Sequence, residues 1–168
     1  VSGAGQNDPS FKNALNNFPL KQGSLFSVKN YDAAKDLLIN LAAQRGYFNA
    51  EMTESTLLID QNPYGADVKM TFKTGPRFLF GRVTFTYTSE PKKPLSKAFL
   101  RRYIPFKKGD VYDNELINKF QANLTSSLYF QTVTITPLNE HPSGLIVPIN
   151  VKLTARKSQQ YNFGFGFG

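Results

Sequence analysis

The sequence contains no cysteine and no tryptophan, and a single histidine, His141. Without thiols there is no disulfide framework, no thiol nucleophile and no cysteine-ligated zinc. The lone imidazole stands beside Pro142 in a Pro/Gly-rich stretch, where a turn residue is expected rather than a metal ligand or a general base. No apolar run approaches the roughly 20 residues that a membrane-spanning helix needs. No signal peptide is recognisable, and an opening Val1-Ser2-Gly3 without Met is what a trimmed chain would show. Acidic residues are scarce in one half only. Residues 1–75 hold seven Lys/Arg and seven Asp/Glu, whereas residues 76–168 hold thirteen and five, so the net charge of +8 falls entirely in the second half. Such asymmetry suggests a polyanionic neighbour, either nucleic acid or a membrane surface.

What the chain does have is aromatic residues and a repeat. Its 15 Phe and 8 Tyr favour pleated, half-buried surfaces, which points toward strands. Its 168 residues suit one large domain or two small ones. Pro19-Leu20-Lys21-Gln22-Gly23 returns as Pro105-Phe106-Lys107-Lys108-Gly109, and Tyr47-Phe48 returns as Tyr129-Phe130. A unit of about 80 residues is therefore repeated.

In the first unit, Val1-Ser2-Gly3 reads as a strand end. A short helix is expected over residues 8–17, with Asp8 as N-cap and Pro9 at the first helical position. A longer one is expected over 28–45, capped by Ser27 or Asn30. It sets Tyr31, Ala34, Leu38, Leu41 and Arg45 on one face and stops at Gly46. A strand over 48–60, a turn at 62–65 and a second strand follow. In that strand Ala66, Val68, Met70 and Phe72 alternate with polar residues, as in a sheet covered on one side. The second unit repeats the order. It has a strand at 78–88 with Val83, Phe85 and Tyr87 inward, a short helix at 95–103, and a helix capped by Asp113 carrying Leu116, Phe120, Leu124 and Leu128. A strand through Val133 and Ile135 comes next, then one through Leu145, Val147, Ile149, Val151 and Leu153. Pro148 cannot donate to a ladder, so a bulge or an unpaired edge is expected beside it. Each unit thus reads β-α-α-β-β, an α+β fold in which two helices cover a three-stranded sheet.

The ending Tyr161-Asn162-Phe163-Gly164-Phe165-Gly166-Phe167-Gly168 has one aromatic face and one bare face. Such a strand suits the lipid-facing wall of an outer-membrane barrel, cut short of the roughly 9–11 residues that span it. The expected boundaries are residues 1–75 for the first domain, its first strand mostly missing, 76–157 for the second, and 158–168 for the start of a barrel strand.

The repeated Pro-x-Lys-x-Gly, Gly46-Tyr47-Phe48, the junction Gly75-Pro76-Arg77-Phe78-Leu79-Phe80-Gly81 and the closing Arg156-Lys157 with Tyr161-x-x-Gly-x-Gly resemble POTRA domains of the Omp85 superfamily. Within it they are most similar to the TamA subfamily, outer-membrane subunits of translocation and assembly modules. The resemblance implies no enzyme and no cofactor, and it implies the periplasmic portion of a Gram-negative outer-membrane protein. Its clients would be unfolded outer-membrane proteins or autotransporters, and its partner an inner-membrane-anchored, TamB-like protein. Barrel-assembly and two-partner-secretion members of the superfamily are the alternatives.

The residues agree with a binding role. Glu51 with Glu54, and Asp113 with Glu115, are the paired carboxylates, expected on a polar strand and at a helix cap rather than at a catalytic centre. Strand addition at an exposed sheet edge is the expected mode of recognition. Its candidate residues are Thr53, Ser55 and Leu57 in the first unit and Gln131, Val133 and Ile135 in the second. The resemblance suggests the second strand of each unit as that edge. Lys93, Lys97, Arg101, Arg102, Lys107 and Lys108 form a candidate patch against an anionic membrane surface. Nucleic-acid binding is the competing class, but an RRM needs a β-α-β-β-α-β order and exposed sheet aromatics.

Overall fold

The computed structural model describes residues 1–61, 64–88, 94–138 and 144–156. The expected barrel strand at 158–168, together with Lys93 and His141, lies outside the described residues.

A 3-10 turn, Ala4–Asn7, leads into helix α1, Pro9–Asn16, which starts where the Asp8 carboxylate accepts the Ser10 N–H at 2.9 Å. An N-cap of this kind contributes about 1 kcal/mol. Helix α2, Val28–Gln44, buries Ala34, Leu38 and Ala42, one residue per turn along one stripe. Tyr31 and Leu41, expected on that stripe, are only half-buried. Gly46, at φ 82°, ends the helix, as its place predicts.

Strands β1, Glu51–Gln61, and β2, Tyr64–Lys73, pair antiparallel. The strand expected from residue 48 begins at 51, because Tyr47 and Phe48 lie in a turn and serve packing. Tyr47 is buried with Phe11, Leu38 and Phe72 in the first core, while Phe48 crosses to the second. With the first strand reduced to its end, this sheet is a two-stranded ladder among the described residues, with Ser2 bridging Lys73 in parallel. Gly3, at φ 91°, then turns the chain off the sheet.

The second unit has all three strands. β3, Leu79–Tyr87, is followed by α3, Lys97–Arg101, α4, Asn114–Ser126, β4, Phe130–Pro137, and β5, Ile146–Ala155. The sheet order is β3-β5-β4, with β3 parallel and β4 antiparallel to the central β5. Phe80, Leu100, Phe120, Leu124, Val151 and Leu153 are within 1% of full burial. Each such side chain contributes about 1.5–3 kcal/mol of transfer free energy. Phe80 and Phe106 stack at 3.8 Å between centroids.

Two expectations for this unit shift. Helix α4 buries Ile117, Phe120 and Leu124, with Leu116 partly covered, and it stops before Leu128. Leu128 takes φ 63° and is 65% exposed, because it occupies the left-handed position past the helix that Gly46 fills in the first unit. Leu145, expected in the last strand, precedes it and is 42% exposed. Pro148 lies in the central strand, and of the bulge and the unpaired edge expected beside it the ladder has the irregularity: β3 slips register between Phe80 and Val83, opposite Pro148. No helix among the described residues is long and apolar enough to cross a membrane.

Candidate functional site: open strand edges, a basic face and a locked junction

Sheet edges matter because an unpaired strand offers N–H and C=O groups to any extended chain. Successive residues of a strand turn these groups to opposite sides, so one known bond fixes the phase of the whole strand. In the first sheet Ser2 N–H donates to Phe72 O at 2.9 Å and Thr74 N–H donates to Ser2 O at 3.0 Å. Phe72 therefore faces Ser2, and its neighbour Thr71 faces β1, opposite Glu54. It follows that Glu54 and Thr56 turn inward, and that Ser55, Leu57 and Ile59 turn their backbone groups out of the sheet. Thr53 sits in a bulge, with its hydroxyl on Thr71 O at 3.2 Å. The Ser55 hydroxyl meets the Tyr31 hydroxyl. Leu58 and Ile59 are 65% and 67% exposed, so this end of the edge is also apolar.

The second sheet is phased by Leu138 N–H donating to Pro148 O at 2.9 Å. Thr132, Thr134 and Thr136 thus face β5, and Val133 and Ile135 present their backbone groups to the open edge. Their side chains remain in the core. Gln131 occupies a bulge and Pro137 has no N–H, so this edge is short and blunted at both ends. Thr53, Ser55 and Leu57 share one edge, and Gln131, Val133 and Ile135 share another.

Of the basic residues, Lys97, Arg101, Arg102, Lys107 and Lys108 are all exposed. None of them pairs with a carboxylate among the described residues. The Arg102 guanidinium lies 5.9 Å from the Phe99 ring, whose edge meets Tyr129 at 5.6 Å. Arg101 and Lys97 instead line an open cleft of about 340 Å³ beside β3, with Arg82, Val83, Thr84 and Phe85. Lys97 and Arg101 are thus set apart from Arg102, a separation that spacing along the chain does not reveal. The free edge of β3 was also missed by sequence reasoning, since strand order is not visible in a local pattern.

The junction between the units is held by charge and by rings. Arg45 Nη1 donates to Asp113 Oδ2 at 2.5 Å, and its Nε reaches Asp8 Oδ2 at 3.5 Å. Arg77 Nε donates to Arg45 O at 2.8 Å, and its Nη2 donates to Tyr112 O at 3.3 Å. The same guanidinium lies 5.6 Å from the Tyr47 ring centroid. Phe78 N–H donates to Gly46 O at 2.8 Å, and Phe48 packs edge-on against Phe78 and Tyr112. Burial pushes the Asp8 carboxyl up, but hydrogen bonds from Ser10, the Arg45 charge and the Tyr47 hydroxyl outweigh it and hold Asp8 below its ordinary value. Burial, reinforced by the Asp113 carboxylate, pushes the Tyr112 phenol up to about 12. Arg45 was expected on the inner face of the second helix, and its head ties helix α2 to the start of α4.

The paired carboxylates do not converge on a reaction centre. Glu54 accepts from Lys69 at 2.9 Å and from Thr71, which hold its carboxyl below the usual value, and Asp113 caps α4 through Glu115 N–H. No group of acidic or imidazole side chains able to hold a metal occurs among the described residues.

Residues 10–75 match the POTRA family model, described as a surface antigen variable number repeat. The structure of BamA from Haemophilus ducreyi lacking POTRA domains 1–3 is similar over 86% of this chain, at 18% identity and a TM-score of 0.59. POTRA domains 3–5 of BamA from Haemophilus influenzae are similar over 92%, at 16% identity and a TM-score of 0.58. The chain spans 27% and 58% of the lengths of those two proteins. At such identities the likeness is one of fold, and the mixed α+β arrangement of two sheets with flanking helices is the POTRA fold.

Proposed function

We propose that this chain is the periplasmic region of an outer-membrane assembly or secretion protein, and that it holds extended polypeptide by strand addition. The observation that carries this reading is the phase of the outer strands. Ser55, Leu57, Val133 and Ile135 turn outward backbone groups that have no partner strand among the described residues. Main-chain bonds tolerate many sequences, which suits a range of unfolded barrel or autotransporter segments. The finer reading is a TamA-like subunit working with an inner-membrane-anchored, TamB-like partner. It rests on the junction Gly75 through Phe85 and on the aromatic-glycine ending. Barrel-assembly and two-partner-secretion transporters use the same modules and remain the alternatives.

Site-specific photo-crosslinking in the full-length parent tests this, with probes at Ser55, Gln131 and Val133 and controls on the outer faces of α2 and α4. Adducts with nascent outer-membrane proteins or an assembly partner are expected at the strand probes. Adducts confined to the helices would move the binding surface there. No adducts at all would make the domains spacers.

A second reading concerns Arg102, Lys107 and Lys108, all exposed, with the Arg102 guanidinium over Phe99, which meets Tyr129. Cations with aromatic neighbours suit an anionic bilayer surface, at about 1 kcal/mol per basic residue. Reversing these three charges is expected to abolish flotation with anionic vesicles at low salt. Undiminished flotation would refute it.

A further inference from the structure

We infer that the cleft between β3 and α3 is a separate strand-addition site, one that selects extended segments carrying carboxylates. The inference uses the strand-addition chemistry proposed above, at a different edge and with charge selection added. It starts from the phase of β3. Thr88 N–H donates to Leu153 O at 2.9 Å, and the Thr86 hydroxyl donates to Val151 O at 3.3 Å. Thr84, Thr86 and Thr88 therefore face β5, and Val83, Phe85 and Tyr87 turn their N–H and C=O groups away from it. The first part of β3 is already covered. Phe80 N–H donates to Asp110 O, and Gly109 N–H donates to Phe80 O, each at 2.8 Å. Among the described residues the free edge thus opens only after the register slip at 81–82 and runs to Tyr87.

This is where the cleft lies. Its walls among the described residues are Arg82, Val83, Thr84 and Phe85 on the strand and Lys97 and Arg101 on the helix, none of them acidic. Lys97 and Arg101 stand four apart, on one face of α3. The Tyr87 hydroxyl accepts Leu95 N–H at 3.2 Å, which fixes the approach to α3 beside the strand. An extended segment laid along Val83–Tyr87 points every second side chain the same way. Carboxylates at alternate positions would meet Lys97 and Arg101, while the backbone bonds to Val83, Phe85 and Tyr87. A strand edge flanked by a helix is a recurrent peptide groove: the main chain supplies affinity and the helix wall supplies selection. The positive wall makes the occupant an acidic polypeptide rather than an apolar one.

The test is amide chemical-shift mapping of the isotope-labelled chain against three extended peptides identical except at alternate positions, which carry Glu, Gln or Lys. The Glu peptide is expected to shift the amides of Val83, Phe85 and Tyr87, the Gln peptide to do so weakly, and the Lys peptide not at all. The double variant Lys97→Glu/Arg101→Glu is expected to bind the Glu peptide roughly tenfold or more weakly at low salt, with a smaller difference at high salt. Unchanged amides in β5 report that the variant is folded. Shifts at Val133 and Ile135 alone, equal for all three peptides, would overturn this inference and leave the proposed function standing. Equal shifts at Val83 and Phe85 for all three would remove the charge selection and overturn it too. Shifts reproduced in full by inorganic phosphate or anionic vesicles would make the cleft a simple anion site, again overturning it. No shift with any peptide would count against both proposals.

Discussion

Gly46 is where conformation and close approach coincide, and Gly46→Ala separates the two. At φ 82° an L side chain is strained, which costs about 1–2 kcal/mol. A Cβ built there would stand 2.8 Å from Tyr112 Cβ and 3.1 Å from Tyr112 O. Real Cβ atoms do not come so near, and the obstacle includes backbone, so the second unit would have to move. Overpacking of this kind costs about 1–3 kcal/mol more. The sum is a loss of about 2–5 kcal/mol, concentrated on the junction. Gly109 is the control: its φ is 93°, yet nothing lies within 4 Å of an added Cβ. Gly109→Ala should therefore show the strain alone. Urea unfolding of both variants measures the difference. Hydrogen exchange at Phe78, whose N–H is bonded to Gly46 O, locates it. If Tyr112 gives way instead, its phenol should titrate below about 12 as the ring meets water. A Gly46→Ala variant no less stable than Gly109→Ala, with Phe78 exchange and the Tyr112 titration unchanged, would refute the reasoning.

Two further outcomes follow from the same contacts. Because the Asp8 carboxyl is held below its ordinary value in the folded chain, its contribution is present above about pH 4 and is lost as the pH falls through the folded value. Asp8→Asn should lose about 1–3 kcal/mol at neutral pH and show a flatter acid limb, measured by urea unfolding across that range. An unaltered acid limb would show that the hydrogen bonds and charges around the Asp8 carboxylate contribute nothing. Leu128→Gly should raise stability by about 1 kcal/mol, because φ 63° suits glycine and a 65% exposed side chain leaves little packing to lose. A lower unfolding midpoint would show that Leu128 packs more than its exposure implies.

Much of the fold was legible because it is local. Asp8-Pro9 announces a helix start, Gly46 a helix stop, and the alternation from Val83 to Tyr87 a half-covered strand. The order of helices and strands follows from such signals, and the repeat doubles their weight. What stayed hidden is pairing. Nothing in the run from Leu79 to Tyr87 says that it lies at an edge, or that Phe80 is covered by Asp110 and Phe85 is not. The basic residues show the same limit. Lys97, Arg101 and Arg102 look like one patch along the chain, yet α3 directs the first two into the β3 cleft and the third over Phe99. The partner of Arg45 stayed hidden because a helical stripe does not reveal Asp113, which lies far off in sequence. A signal was present all the same: an arginine next to a helix-ending glycine, and a second, Arg77, beside the Gly-Pro junction.

Pro148 opposite the slip in β3 also bears on how the second sheet finds its alignment during folding. Chains of alternating Val, Ile and Thr can pair out of step by two residues with nearly the same faces, which makes them prone to kinetic traps. A residue without an N–H in the middle strand marks one position as different. Gly81 marks its counterpart, since a Cβ there would stand 2.8 Å from Ile146 Cγ2 and 2.9 Å from Pro148 N. In a shifted alignment of β3 a side chain would stand where only glycine fits. The two irregularities therefore act as a key and its ward: they weaken the sheet locally but leave a single alignment that closes without a clash, sparing the chain a search among near-equivalent ones.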